Sequence, residues 1–106
     1  MAGHAAYETA EFRKAYGRLD GSVRAHIDKS LPRLLDDPFH NTKTLNFPFT
    51  GKRSFMIGKC RIIFAVCGEC RSHHWQEHNQ CSECLSRPDR SIVLFTLGLR
   101  KNVYDG

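Results

Sequence analysis

The spacing of apolar residues changes partway along the chain, and this change limits the folds that the chain can adopt. Within residues 10–37 the apolar side chains recur every three or four positions, which is typical of helices with one buried face. From residue 53 onward they come in short runs rich in β-branched and aromatic residues, which predict strands. A chain of 106 residues has room for one domain. We therefore expect residues 1–106 to form a single α+β domain, with the helices packed on a small sheet.

Cap and turn residues divide the first part of the chain into two helices. Thr9 is a good N-cap for the first helix, and the Asp-Gly pair at 20–21 ends it. Ser22 is a good N-cap for the second helix, which carries Pro32 and is expected to kink or begin again there. This helix should end ahead of Pro38, because a residue before proline avoids helical backbone angles. The two helices are predicted to form an antiparallel hairpin.

Three strands are predicted in the second part, at residues 53–57, 60–66 and 91–99, and a weaker strand signal covers residues 4–8. Gly58-Lys59 is expected to turn the chain between the first two of these strands.

Strand parity assigns side chains to the two faces of the sheet, because alternate residues of a strand point the same way. The helices are expected to cover the more apolar face, which carries Phe55 and Ile57, then Cys60, Ile62, Phe64 and Val66, and in the last strand Val93, Phe95, Leu97 and Leu99. The opposite face then holds Lys52, Arg61 and Arg100, which are predicted to converge into one basic patch contributed by three strands.

The charge of the chain is segregated along the sequence. There are 16 Lys and Arg against 11 Asp and Glu, a formal net charge of +5. Residues 38–66 contain five basic residues and no acidic one, and residues 90–104 contain three and none. This pattern favours an anionic partner such as nucleic acid, with a merely solvated basic surface as the alternative. The sequence has neither an apolar run long enough to span a membrane nor a secretory signal, so a soluble, cytoplasmic protein is expected.

Four of the five cysteines form two C-x-x-C motifs, Cys67 with Cys70 and Cys81 with Cys84, separated by ten residues. Two such motifs can bind one zinc ion tetrahedrally through four thiolates. A redox dithiol and disulfides are the alternatives, and they fit two paired motifs in a cytoplasmic chain less well. We predict a structural zinc that closes a loop, at about residues 67–89, inserted between the last two strands. The fifth cysteine, Cys60, is expected to be a core residue.

Three segments together resemble the RelE/ParE superfamily of toxins. They are residues 34–39 (LLDDPF), 53–64 (RSFMIGKCRIIF) and 97–104 (LGLRKNVY), and the similarity extends from about residue 12 to residue 104 around the cysteine insertion. The resemblance implies a helical hairpin packed on a small curved antiparallel β-sheet. It also implies a cognate antitoxin protein as partner. For the RelE branch it implies cleavage of mRNA on the ribosome, and for the ParE branch inhibition of DNA gyrase.

The resemblance also implies roles for particular residues. Arg61 matches a strand arginine that binds the scissile phosphate, Arg100 a second catalytic arginine, and Tyr104 a tyrosine that stacks on a base or transfers a proton. The sequence departs from active RelE proteins at Ser54 and Met56, where lysine or arginine is frequent.

The chemistry of RNA cleavage adds further candidates. The reaction needs a proton acceptor, for which Tyr104, Lys52 or a histidine of the cysteine loop is available. Three further basic residues are expected to bind RNA: Arg53, Lys59 and Lys101.

Three hypotheses about function follow. The first is a RelE-type endoribonuclease toxin in which the RNA 2′-hydroxyl attacks the scissile phosphate. The second is a ParE-like, non-enzymatic gyrase inhibitor, which Ser54 and Met56 favour. The third is a catalytically silent, zinc-stabilised nucleic-acid-binding module. A neighbouring gene for a short acidic antitoxin would separate the third hypothesis from the other two.

Overall fold

In the part of the chain that the structure describes, one five-stranded sheet and three helices make up the fold. The computed structural model describes residues 4–45, 51–72 and 90–99. The strands follow the spatial order β1-β5-β4-β3-β2, and all neighbours are antiparallel except the parallel pair β1 and β5. In chain order the elements are β1 (Ala5–Glu8), α1 (Ala10–Gly17), α2 (Gly21–Asp36), β2 (Thr42–Thr44), β3 (Arg53–Ile57), β4 (Cys60–Val66), α3 (Cys67–Ser72) and β5 (Ser91–Leu99). No helix within these ranges is both long and apolar enough to cross a membrane.

The predicted α+β class and the bounds of three strands are confirmed, whereas a purely antiparallel sheet is wrong. The first strand pairs in parallel with β5. This follows because β2, which α1 and α2 place at the other edge of the sheet, runs opposite to β1, and the three antiparallel pairings from β2 to β5 return the chain to the direction of β1. Two short elements were not predicted. Strand β2 has three residues, too few to show alternation, and α3 has six, within the first cysteine motif.

The two helix starts differ in how well the sequence predicts them. Thr9 caps α1 as expected, because its Oγ1 accepts the backbone N–H of Phe12 at 3.1 Å. The prediction that Ser22 caps α2 is wrong, since the helix already begins at Gly21 with Asp20 in the extended N-cap position. Helix α2 runs through Pro32 as one element and ends at Asp36, ahead of Pro38 as predicted.

The hydrophobic core lies between the helices and one face of the sheet. Leu35, Leu31 and Val23 of α2 pack at its border. Fully burying an aliphatic or aromatic side chain of this size contributes about 1.5–3 kcal/mol, so this layer supplies most of the stability of the fold. Its buried members are Phe12, Ile27, Leu34, Ile57, Ile62, Phe64, Val66, Ile92, Leu94 and Leu97.

A β-bulge in β5 reverses the facing of its first half. Phe64 pairs with Leu94, whereas the preceding residue of β4 pairs with Thr96, so Phe95 is the extra residue. Leu94 therefore joins the core, while Phe95 and Val93 lie on the opposite face. The prediction that Val93 and Phe95 face the helices is wrong for this reason.

Thr9 anchors the bulge to the start of α1. Its hydroxyl donates to the carbonyl oxygen of Phe95 at 2.7 Å, and its backbone N–H donates to the carbonyl oxygen of Leu94 at 3.1 Å. A bulge disrupts the strand ladder locally. Thr9 therefore serves both as a helix cap and as a hydrogen-bond donor to the bulged strand.

Candidate functional site

Arg61 lies on the face of the sheet that is opposite the helices, because its strand neighbour Ile62 points into the core. Its side chain is half-buried, and its Nε donates to Sδ of Met56 at 3.2 Å. The residue paired with it on β5 is Gly98, which contributes no side chain beside the guanidinium. Glycine within a strand often marks a place where a ligand approaches. The absence of a side chain at Gly98 leaves space beside Arg61 on this face.

Lys52 lies on the same face, where a cavity of about 350 Å³ opens. Its ammonium stands 4.8 Å from the centre of the Phe95 ring. A cation is attracted to the face of an aromatic ring, so this contact positions the Lys52 ammonium beside Phe95. The cavity is lined by Thr9, Glu11, Lys52, Ile63, Phe95 and Thr96.

Lys52 and Arg61 occupy different ends of this face. Met56 pairs with Arg61, and Lys52 precedes Met56 by four residues, which is about 13 Å along an extended strand. Between them Ser54 and Ile63 are buried, with exposed fractions of 4% and 0%. The two cations therefore lie on the predicted face but on either side of a buried centre, and the third member of the predicted patch, Arg100, lies outside the described residues.

The turn between β3 and β4 brings a further cation to the Arg61 end of the sheet. Ile57 pairs with Cys60 around the two-residue loop Gly58-Lys59, as predicted. Gly58 has a φ of +58°, which glycine adopts without strain at the first position of a type II′ turn. Lys59 follows it and is exposed at the tip of the hairpin.

Arg53 is held by a carboxylate that the sequence analysis did not single out. Its Nε donates to Oε1 of Glu69 at 2.8 Å and its Nη2 donates to Oε2, a two-point ion pair with side chains only 14% and 11% exposed. Its Nη1 donates to the hydroxyl of Thr42, and its guanidinium stacks on Phe39 at 4.8 Å. By parity Arg53 is on the face of β3 opposite Ser54, so the structure does not bring it together with Arg61. RNA contact by Arg53 stays a prediction.

We expect Glu69→Gln to lower the free energy of unfolding by about 1–3 kcal/mol, because it leaves a largely buried guanidinium without its counter-charge. Urea denaturation followed by circular dichroism measures this change. The matched control is Glu8→Gln in β1, where the side chain is exposed and the expected change is within about 0.5 kcal/mol. Equal effects of the two substitutions would show that the ion pair adds nothing to stability.

Helix α3 carries the first pair of predicted zinc ligands. Cys67 and Cys70 are both buried. They are three positions apart in a helix, which puts them on the same side of it. Cys60 is buried in β4, and burial raises the pKa of its thiol. That environment agrees with the expectation that Cys60 is a core residue.

Five of the predicted site residues lie outside the described residues, and their roles stay predictions: Cys81, Cys84, Arg100, Lys101 and Tyr104.

Comparison with known proteins identifies the fold. No protein-family model matches the sequence, and no curated protein matches it either. Among solved structures, a chain of the toxin–antitoxin complex RelBE2 from Mycobacterium tuberculosis superposes with a TM-score of 0.69, at 16% identity over 94% of each chain. A chain of the intact RelBE toxin–antitoxin complex from E. coli gives 0.58, at 13% identity over 91% of this chain and 95% of that one.

A third solved structure extends the comparison to a toxin in a copper-bound mutant form, from Helicobacter pylori. It superposes with a TM-score of 0.53 at 15% identity, over 95% of this chain and 99% of that one. Identities this low speak for the fold alone, and the fold agrees with the resemblance seen in the sequence. The chain therefore has the fold found in the RelBE toxin–antitoxin complexes.

Proposed function

We propose that the chain is the toxin of a type II toxin–antitoxin pair and an endoribonuclease that cuts mRNA on the ribosome. The observation that carries the proposal is the position of Arg61 on the face opposite the helices, in a fold shared over more than nine-tenths of the chain with chains of toxin–antitoxin complexes. The segregated basic residues agree with an RNA substrate.

The proposed reaction uses the nucleophile that RNA itself carries. The ribose 2′-hydroxyl attacks the adjacent phosphorus, so the 2′-oxygen–phosphorus bond forms as the bond to the 5′ oxygen breaks. The products are a 2′,3′-cyclic phosphate and a 5′-hydroxyl. One proton leaves the attacking hydroxyl for a base, and one proton reaches the departing 5′ oxygen. The protein must therefore align the attack, offset the charge on the phosphate and move two protons.

Arg61 is assigned to the phosphate, because a guanidinium can donate two parallel hydrogen bonds to phosphate oxygens. Lys52 adds positive charge at the other end of the face, in keeping with its contact to Phe95. Arg100 is the second phosphate ligand by resemblance, and Tyr104 is the candidate for proton transfer or base stacking. Lys59 and Lys101 are assigned to the RNA backbone.

The proposed partner is a protein antitoxin. Both RelBE structures are complexes of a toxin with its antitoxin. We propose that an acidic antitoxin segment lies against the basic face that holds Lys52 and Arg61, because opposite charges favour such an encounter.

We further propose that Cys67 and Cys70, together with Cys81 and Cys84, bind one structural zinc ion. The placement of the first two on one side of α3 supports this, since adjacent thiolates of a C-x-x-C motif can bind one ion. The ion would stabilise the inserted loop and would take no part in the reaction, which is assigned to residues of the sheet.

Ser54 and Met56 favour the second candidate, a gyrase inhibitor on the same fold. Ser54 is buried, and the thioether of Met56 accepts a hydrogen bond from Arg61. Neither side chain can supply the positive charge that active RelE proteins frequently have at these positions.

Inducible expression in a bacterial host tests the proposal against both alternatives. We expect growth arrest with cleaved mRNA, mapped by primer extension on a reporter transcript, and intact DNA. Growth arrest with broken DNA and intact mRNA would favour the gyrase inhibitor. Unimpaired growth in the absence of any antitoxin would favour the silent nucleic-acid-binding module.

A further inference from the structure

A second cleft, of about 350 Å³, lies between α2 and the hairpin of β3 and β4. It is separate from the Lys52 cavity and shares no lining residue with it. Helix α2 forms one wall, and the turn that leads into β2 together with the end of β3 forms the other. The lining residues are His26, Ser30, Arg33, His40, Asn41, Phe55, Met56, Ile57 and Gly58.

The polar groups of this cleft are suited to an anion. Arg33 supplies a guanidinium, and two imidazoles and a hydroxyl line the cleft with it. Among the described residues that line the cleft, none is acidic. Lys59 lies one residue beyond the lining residue Gly58 and is exposed. The acids nearest to the lining residues in sequence are Asp28, Asp36 and Asp37. The carboxylate of Asp28 accepts the hydroxyl of Tyr16 at 2.7 Å, and that of Asp37 accepts the backbone N–H of Phe39 at 3.1 Å.

The apolar part of the cleft is suited to a nucleobase. Phe55 is half-buried and lies on the helix-facing side of β3, whereas the side chain of Met56, the next residue, lies on the other face with Arg61. The imidazole ring of His26 lies close to the turn at Gly58. A Cβ atom at Gly58 would be 3.5 Å from Cε1 of His26. Unstacked bases of single-stranded RNA bind proteins by stacking on aromatic, imidazole and guanidinium planes. A volume of about 350 Å³ is at the lower end of small-ligand sites and is enough for a single nucleotide.

The cleft adjoins the proposed phosphate site at one residue of β3, Met56. Met56 lines the cleft, and its Sδ accepts the hydrogen bond from Nε of Arg61 at 3.2 Å. An RNA strand with one phosphate at Arg61 therefore passes over Met56 to reach the cleft.

We propose that this cleft binds one nucleotide of single-stranded RNA, next to the nucleotide whose phosphate contacts Arg61. The phosphate of this nucleotide is bound by Arg33 with the help of His26 and His40, and its base packs on Phe55. The inference rests on the proposed function, because it names a second contact of the same RNA strand.

Titration of the full chain with adenosine 5′-monophosphate, followed by NMR of the backbone amides, tests the inference. We expect saturable shifts at Asn41 and Gly58, on the two sides of the cleft. Arg33→Gln should weaken the affinity by about tenfold, since a charge-assisted hydrogen bond is lost. The matched control is Arg18→Gln at the end of α1, an exposed arginine that does not line the cleft and should leave the affinity unchanged. Inorganic phosphate should shift the same amides with lower affinity, because it has no base to stack.

The inference would be overturned by the absence of a saturable shift, by an affinity that Arg33→Gln leaves unchanged, or by phosphate binding as tightly as the nucleotide. Shifts confined to the Lys52 cavity would also count against it. Cleavage of ribosome-bound mRNA by the same preparation separates the two proposals. If the chain cuts mRNA but the nucleotide does not bind the cleft, this inference alone fails. If the nucleotide binds as expected but no mRNA is cut, the proposed function alone fails.

Discussion

Arg61→Ala is expected to lower the rate of ribosome-dependent mRNA cleavage by about 10²–10³-fold. The physical reason is that the guanidinium donates to phosphate oxygens whose negative charge increases in the transition state. The fold should survive the change, because Arg61 is only half-buried and its neighbours on the helix-facing side supply the core. Cleavage of a defined mRNA by purified toxin and ribosomes measures the rate, and thermal denaturation checks the fold.

The Arg61→Lys variant distinguishes the contribution of the positive charge at residue 61 from that of the planar guanidinium geometry. A lysine restores the charge but not the planar pair of donors, so it should leave most of the defect in place. Lys14→Ala, at an exposed position of α1, is the control for a general loss of positive charge and should retain the activity. Full activity of Arg61→Ala would remove Arg61 from the mechanism. Full rescue by lysine would reduce its role to long-range attraction of the RNA.

The local features of the fold could be predicted from the sequence, and the pairing between distant segments could not. The hairpin at Gly58 was predictable because a glycine-containing two-residue loop between β-rich runs has few alternatives. The bulge at Phe95 was not, because it depends on the register against β4 and on the hydroxyl of Thr9, 86 residues away in sequence. A register shift of one residue against β4 is enough to place Val93 and Phe95 on the other face of the sheet.

The same limit applies to the candidate site. The extra residue of the bulge is in β5, so side chains alternate regularly along β4. The structure therefore places Arg61 on the face that this alternation predicted. Charge alone could not tell Arg53, which is paired with Glu69, from the exposed Lys59, because the carboxylate partner comes from another element. The cleft beside Arg33 was also beyond sequence reasoning, since its residues come from a helix, a turn and a strand that only the tertiary fold brings together.

Removal of one thiolate should abolish tight zinc binding. The purified chain is expected to hold one zinc ion, and Cys70→Ser should lose it on dialysis against a chelator, because three thiolates bind the ion far less tightly than four. Structural zinc sites contribute on the order of 10 kcal/mol of binding free energy, so loss of the ion should also loosen the segment that the ligands hold. Elemental analysis measures the metal content. Hydrogen exchange should show faster exchange of the α3 amides and unchanged protection in the centre of β4.

Cys60 provides a matched control within the same chain. Cys60→Ala removes a thiol that is also buried but lies in the sheet, where burial raises its pKa and keeps it protonated. This variant should retain one zinc ion and the exchange protection of α3, whereas Cys84→Ser should behave as Cys70→Ser does. Zinc content that survives both ligand substitutions would contradict the four-cysteine site. Loss of zinc in Cys60→Ala as well would show that zinc binding depends on the sheet around Cys60. The ion would then be part of the core, and it would not serve to close the inserted loop.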